Sequence, residues 1–331
     1  MTTQTPHPDL TRYGDPAPIT RMFGWIMLTT LAAFMINNVL TVGFEFPGTA
    51  AAFSVGGGAW LQVGIHAVAI AVAIAYVIAT PDRALRWDAL NITNFNIYLI
   101  RACFWAVLMI GIVDASIAFM RIEGLLEPFF SDPDFVKQFG RVQFVGPNIH
   151  IPLIILALII AYFSRTLGFT WLTLLIVGAE LLIVISRFVF SYEQALMGDL
   201  VRYWYAALFL FASAYTLLDE GHVRVDVLYA GFSTRTKGIS NTIGSILLGM
   251  TTAWVIIYLG FNGKTAIINS PVANMEVTQT GGTGMFVKYQ MAAFLGVFAI
   301  TMLIQFVSYL FEAVADMRGQ PGKREIAPVS H

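Results

Sequence analysis

Long apolar stretches alternate with short polar segments along the whole chain. Eight stretches are long enough to cross the roughly 30 Å hydrocarbon core of a bilayer as helices. The fourth is the shortest and contains Pro152, so a count of seven or nine stays open. The pattern predicts an all-α, polytopic helical membrane protein of about eight transmembrane helices. They are expected near residues 22–42, 59–79, 97–119, 147–163, 169–189, 201–218, 243–260 and 289–311.

The distribution of lysine and arginine predicts the orientation of these spans. With the N-terminus inside, twelve of the 19 basic residues fall on the inner side and seven on the outer side. Cytoplasmic loops carry the excess of positive charge, so both termini are predicted to be cytoplasmic. Two long outer loops, about 120–148 and 261–288, follow from this orientation. The loop segment 269–284 is expected to be irregular, and 191–200 to be an amphipathic connector in the interface.

Composition excludes several other classes. Of the 331 residues, 57% are hydrophobic and only 12% are charged, about half the usual charged fraction of a soluble domain. A net charge of −1 gives no basic surface for nucleic acid. The single cysteine, Cys103, excludes an internal disulfide, a Cys-based zinc site and an iron–sulfur cluster. Some twenty polar residues precede the first span, so we expect an uncleaved insertion signal.

The two halves of the chain are weakly similar. Arg86-Trp87-Asp88-Ala89-Leu90 and Arg224-Val225-Asp226-Val227-Leu228 each follow the end of an apolar stretch. At an offset of about 138 residues the second long outer loop falls on the first. Two parallel four-helix repeats, of the kind that transporters carry, and chance similarity both stay open.

Two acidic residues lie within predicted spans. Glu180 is near the middle of the fifth, with Arg187 two turns later on the same face. Asp114 is in the third span, near its outer end, where we expect water to reach it. A carboxylate in hydrocarbon is a functional candidate because burying its charge is costly. A neutral or hydrogen-bonded structural carboxylate is the alternative.

Two histidines allow a second kind of site. His66 lies in the second span and His150 at the outer start of the fourth, and such a pair on facing helices could ligate a b-type haem. The structural alternative is that each bonds a neighbouring polar group. No nucleophile–base pair, paired-carboxylate spacing or H-E-x-x-H motif occurs, so the sequence does not predict an enzyme.

The most informative segment follows the sixth span directly. Gly221 allows the helix to end and the chain to turn, and valines alternate with charged residues after it. Without further context it is a solvated loop whose Arg224–Asp226 ion pair contributes little to stability. The segment is Asp219-Glu220-Gly221-His222-Val223-Arg224-Val225-Asp226-Val227-Leu228-Tyr229.

This segment closely resembles the signature of the small permease subunit of tripartite ATP-independent periplasmic (TRAP) transporters, the DctQ-like family. The family pattern is E-G-x-H-I/V-R-V-D-x-L-Y. Two upstream strings are also similar to family motifs: Arg187-Phe188-Val189-Phe190 to R-Y-x-F, and Asp199-Leu200-Val201-Arg202-Tyr203 to E-L-x-R-Y. The resemblance covers residues 169–318. The chain departs from the family at 196–199, which lacks a Trp, and at 284–288, where Pro and Trp are common.

The resemblance implies a non-catalytic scaffold subunit of a secondary transporter in the bacterial cytoplasmic (inner) membrane. Implied partners are a large permease subunit, a periplasmic solute-binding protein and the lipid bilayer, with no nucleic acid. It implies import of an organic acid anion, no cofactor in this chain, and Na⁺ coupling in the large subunit. The matching positions would be structural or interface residues: Arg187, Asp199, Arg202, Glu220, Gly221, His222, Arg224 and Asp226.

The expected organisation has four parts. They are a cytoplasmic tail (1–21), a four-helix membrane extension (22–168), a DctQ-like four-helix domain (169–318) and a second cytoplasmic tail (319–331). Two alternatives to a scaffold subunit stay open. One is a self-sufficient transporter or channel that uses Glu180, and the other is a haem-bearing membrane subunit that uses His66 and His150.

Overall fold

The computed structural model describes residues 11–166, 169–218, 228–278 and 281–323. In these residues eight helices are long and apolar enough to cross a membrane, which confirms the predicted count. Helices α4 and α9 are too short to do so. The ten helices are α1 (Pro18–Gly43), α2 (Gly58–Ala79), α3 (Leu85–Ile122), α4 (Pro133–Gln138), α5 (Val142–Phe163), α6 (Phe169–Val189), α7 (Ala195–Leu218), α8 (Thr234–Phe261), α9 (Asn269–Ala273) and α10 (Lys288–Met317).

Three expectations from the sequence about the ends and kinds of elements are wrong. Helix α3 begins at Leu85 rather than near 97, because polar residues in its first three turns lie inside the protein and lower the local hydropathy. Residues 195–200, expected to be part of an interfacial connector, are the first turns of α7. The outer loop segment expected to be irregular contains the short helix α9.

The chain forms two compact units. Of the described residues, the first unit contains those within 97–213 and 270–298, and the second contains those within 11–96, 214–269 and 299–323. Each unit draws on both sides of residue 168. The four-part organisation of the chain stays a prediction.

In the second unit, a buried ion pair joins α1 to α3. The Arg21 guanidinium donates from Nε to Asp88 Oδ2 at 2.8 Å, and both side chains are almost completely buried. Trp25 Nε1 donates to the same carboxylate oxygen at 3.1 Å. Arg21 also donates to the carbonyl and hydroxyl oxygens of Thr80, just after α2. These bonds satisfy charges that would otherwise be too costly to bury.

A row of polar contacts joins α3 to α10 in the same unit. Thr93 Oγ1 lies 2.7 Å from Ser308 Oγ, and Asn96 Nδ2 donates to Thr301 O at 2.9 Å. Two turns before Thr93, Arg86 pairs with Glu312 and Asp316. Such interhelical hydrogen bonds stabilise helix packing where hydrocarbon offers no alternative partner. They connect the N-terminal part of the chain to its last spanning helix.

Asparagines link other helices of this unit. Asn37 Nδ2 donates to the carbonyl of Gln62 at 2.9 Å, which connects α1 to α2. Asn38 and Asn269 exchange side-chain hydrogen bonds at 3.0 and 2.7 Å, which connects α1 to α9. Close packing adds to these bonds, since a Cβ atom on Gly24 would lie only 2.4 Å from the ring of Phe311.

We predict that Asp88→Ala lowers the free energy of unfolding by about 3–5 kcal/mol, because it leaves the Arg21 charge buried without its carboxylate. The double variant Arg21→Met/Asp88→Leu should lose less than Asp88→Ala, because it removes both charges. Equilibrium unfolding in mixed detergent micelles measures each value. Lys137→Ala, which breaks an exposed pair with Asp134, should change stability by less than about 0.5 kcal/mol. A double variant less stable than Asp88→Ala would contradict this account of the pair.

Candidate functional site

Two buried carboxylates of the first unit hold consecutive backbone amides. Asp199 Oδ2, in the first turns of α7, accepts from the Met285 N–H at 3.1 Å. Asp114 Oδ2, on α3, accepts from the Phe286 N–H at 2.7 Å. Only 1% of Asp114 is exposed, so the expectation that water reaches it is wrong. The two carboxylates together fix the chain just before α10 begins.

The segment held in this way is apolar and buried. Met285, Phe286 and Val287 are all almost inaccessible to solvent, and Phe286 packs with Val142 and Val145 of α5. This is the part of the chain that departs from the Pro- and Trp-containing pattern of DctQ-like sequences. Met285, Phe286 and Val287 of this departing stretch therefore fill the interior of the first unit, whereas Lys288 is exposed.

Arg121 holds the same segment from the end of α3. Its Nη2 donates to Gly284 O at 2.6 Å and its Nη1 to Phe139 O at 2.9 Å. The guanidinium carbon lies 4.5 Å from the centroid of the Phe286 ring, a cation–π contact. Arg121 thus connects α3, the α4 region and the segment before α10. The sequence treated it only as a basic outer residue.

A buried hydrogen-bond network extends from Asp114 to α5, α7 and α10. His150 Nδ1 lies 2.8 Å from Tyr289 Oη and 2.9 Å from Gln290 Nε2, and Tyr203 Oη donates to Gln290 Oε1. The His150 Nε2 atom faces Asp114 Oδ1 at 3.4 Å. Since the amide nitrogen of Gln290 can only donate, Nδ1 acts as an acceptor and the ring proton lies on Nε2, toward the carboxylate.

Local chain geometry explains how His150 enters this network. Residues Gly146–His150 form a π-helical turn inside α5, and Pro147 within it cannot donate a backbone hydrogen bond. The wider turn leads directly into the regular helix at Ile151. Sequence reasoning considered His150 as a haem ligand or as a residue that bonds a neighbouring polar group, and it missed the partners Tyr289 and Gln290. A glutamine at the start of the strongly apolar α10 was the available signal.

Trp204 adds a contact between α3 and α7. Its Nε1 donates to the Val107 carbonyl at 3.2 Å, and a Cβ atom on Gly111 would lie 2.1 Å from that nitrogen. Only glycine at 111 leaves room for the indole. The adjacent Tyr203 and Trp204 thus both serve the packing of the first unit.

A second polar contact lies outside the spanning helices. Tyr192 and Gln194 lie in the short connection between α6 and α7. Both donate a hydrogen bond to Oε1 of Glu123, the residue just after the end of α3. The hydrogen bond to Glu123 raises the pKa of the Tyr192 phenol above its ordinary value. The contact ties the start of α7 to the end of α3.

The remaining candidate residues divide into three groups. Arg187 is exposed and lies 3.3 Å from Glu193, and the exposed Arg202 lies 3.9 Å from Asp199. Glu180 is exposed on α6, which gives no support to an enclosed transport path through it. Five signature residues lie outside the described residues: Glu220, Gly221, His222, Arg224 and Asp226.

The histidines have hydrogen-bonding neighbours. His66 Nδ1 lies 2.8 Å from Asn37 Nδ2, and His150 belongs to the network described above. These contacts support the structural alternative that the sequence left open. Within the described ranges no group of three or more His, Cys, Asp or Glu residues is placed to hold a metal ion.

The architecture is that of a polytopic helical membrane protein whose buried polar groups bond to one another. Residues 173–316 match the family model of the tripartite ATP-independent periplasmic transporters, DctQ component. The match confirms the resemblance seen in the signature, and this segment is similar to the DctQ component of those transporters. The spanning helices before residue 173 form an extension to it. No curated protein and no solved structure matches the chain.

We predict that Asp114→Ala and Asp199→Ala each lower the free energy of unfolding by about 1–3 kcal/mol, because each leaves a buried backbone N–H without its acceptor. The double variant should lose less than the sum, because both carboxylates hold one segment. Unfolding in detergent micelles measures these values. Glu127→Ala, an exposed change in the nearby loop, is the matched control and should have little effect. Fully additive losses would contradict a shared role.

We also predict that residues 169–331 expressed alone do not form a monodisperse membrane protein. Without the extension, the Phe286 amide, Gln290, Ser308 and Glu312 lose contacts from α3 and α5. Size-exclusion chromatography of a fluorescent fusion in mild detergent measures this. Co-expression of residues 1–168 as a separate chain should restore the monodisperse peak. A stable 169–331 fragment without that help would overturn the prediction.

Proposed function

We propose that this chain is the small membrane subunit and static scaffold of a TRAP-type importer of an organic acid anion. It would act in the bacterial cytoplasmic membrane with a large permease subunit and a periplasmic solute-binding protein. The match of residues 173–316 to the DctQ component supports the assignment. The same match supports a non-catalytic role, because that component is part of a transporter.

The main support for the scaffold role is that the buried polar side chains bond to other parts of this chain. In the first unit Asp114, Asp199 and His150 bond to backbone amides and neighbouring helices. In the second unit Arg21 and Arg86 are paired with carboxylates. A moving transport domain needs polar groups available to substrate and ions. Side chains that hold helices to each other suit a rigid frame.

The extension supports the same role. Its helix α3 accepts a hydrogen bond from the segment before α10 in the first unit, through Asp114, and makes polar contacts with α10 in the second unit, through Thr93 and Asn96. The extension therefore enlarges the frame that the DctQ-type segment provides. We expect no cofactor in this chain, and the coupling ion, Na⁺ on this proposal, to bind the large subunit.

The test is a mild-detergent purification of the tagged chain from its native membranes, followed by mass spectrometry. We expect a stoichiometric, strongly hydrophobic permease subunit to co-purify. Liposomes that contain both membrane subunits and the binding protein should then take up the organic anion. Liposomes with this chain alone are the control. Uptake by the chain alone, or purification without any membrane partner, would refute the scaffold proposal.

A further inference from the structure

Helix α6 is the least packed of the eight spanning helices. Only 11% of its most apolar window is buried inside the molecule, against 17–50% for the other seven. Leu172 and Ile176 are its buried side chains, and they occupy one side of the helix. The rest of α6 is exposed or partly exposed and mostly apolar.

Glu180 interrupts this apolar surface at mid-span. It lies ten residues from Thr170 and nine from Val189, about 14–15 Å from either end of the helix. A glutamate side chain is too short to reach the aqueous interface from there. No hydrogen bond or ion pair joins Glu180 to another residue in the described part of the chain, and its side chain is exposed. A carboxylate in contact with lipid at this depth is costly.

We propose that the Glu180 face of α6, defined as Val177, Glu180, Val184 and Arg187, docks a transmembrane helix of the large membrane subunit. That helix carries an arginine, lysine or side-chain amide at mid-membrane depth, which donates a hydrogen bond to the Glu180 carboxylate. The inference rests on the proposed function, since it names the surface at which the two membrane subunits meet.

The helix geometry places this face opposite Leu182 and next to the buried Ile176, which lies about 40° from Glu180. At 100° per residue, Val177, Val184 and Arg187 lie within about 60° of Glu180. Leu182 lies about 160° away, on the opposite side and at nearly the same depth. Val177 is 60% exposed and Leu182 is 63% exposed, so exposure alone does not favour either side. The carboxylate does, because a partner with a complementary donor lowers the free-energy cost of holding it in the membrane.

The first test places a photo-crosslinking amino acid at Val177, Val184 or Leu182 in the full chain within native membranes. We expect Val177 and Val184 to link to a mid-span peptide of the large subunit, and Leu182 to link at least tenfold less. An equal or stronger link from Leu182, a link from Val177 and Val184 to a second copy of this chain, or no link would overturn the inference.

Co-purification of the large subunit with the wild-type chain tests the proposed function separately from the docking surface. If the large subunit co-purifies but the crosslinks do not follow the Glu180 face, only the docking surface is wrong. If no large subunit co-purifies, the scaffold proposal and this inference both fail.

The second test measures the contribution of the carboxylate. Glu180→Leu should weaken recovery of the large subunit by roughly threefold to thirtyfold, the range of an interhelical hydrogen bond in a membrane. Glu180→Gln keeps an acceptor and should weaken it less. Leu182→Ala is the matched control and should leave recovery unchanged. Monodisperse elution of each purified variant shows that it is folded. Full recovery of the large subunit with Glu180→Leu would contradict the inference.

Discussion

The first unit depends on two carboxylates that each accept one of two consecutive backbone N–H groups. Asp199 holds Met285 and Asp114 holds Phe286, and these donors come just before α10, where no helix satisfies them. Without an acceptor, a buried N–H is costly in an apolar interior. The bonds therefore allow an apolar segment to enter the interior and lead directly into a spanning helix.

The same hydrogen bonds hold the extension against the segment that matches the DctQ component. Asp114 comes from the extension and Asp199 from the matched segment, and both bind the segment before α10. In the second unit, Thr93 and Asn96 of α3 contact α10 in a similar way. Hydrocarbon provides little drive for helices to associate, so polar contacts of this kind and close packing determine which helices stay together.

Hydropathy along the chain was sufficient to predict the class of protein and the eight spans, because lipid requires long apolar helices. It placed the start of α3 too late, since Arg86, Asp88 and Asn96 are polar but paired inside. It placed Glu180 correctly at mid-span. It did not predict the contacts of Asp114 and His150, because they depend on residues more than 130 positions away in sequence, namely Phe286 and Gln290.

Asp114 and Glu180 show why the surroundings of an intramembrane carboxylate matter more than its presence. From the sequence alone, both residues had the same two interpretations, functional or structural. Asp114 is buried, accepts a backbone hydrogen bond and faces His150, so contacts within this chain compensate the free-energy cost of burying its carboxylate. Glu180 lies on the exposed surface of the least packed helix. A carboxylate whose placement in the membrane is not compensated by its own chain favours a partner that compensates it, so the proposed contact with a second membrane subunit rests most directly on this position.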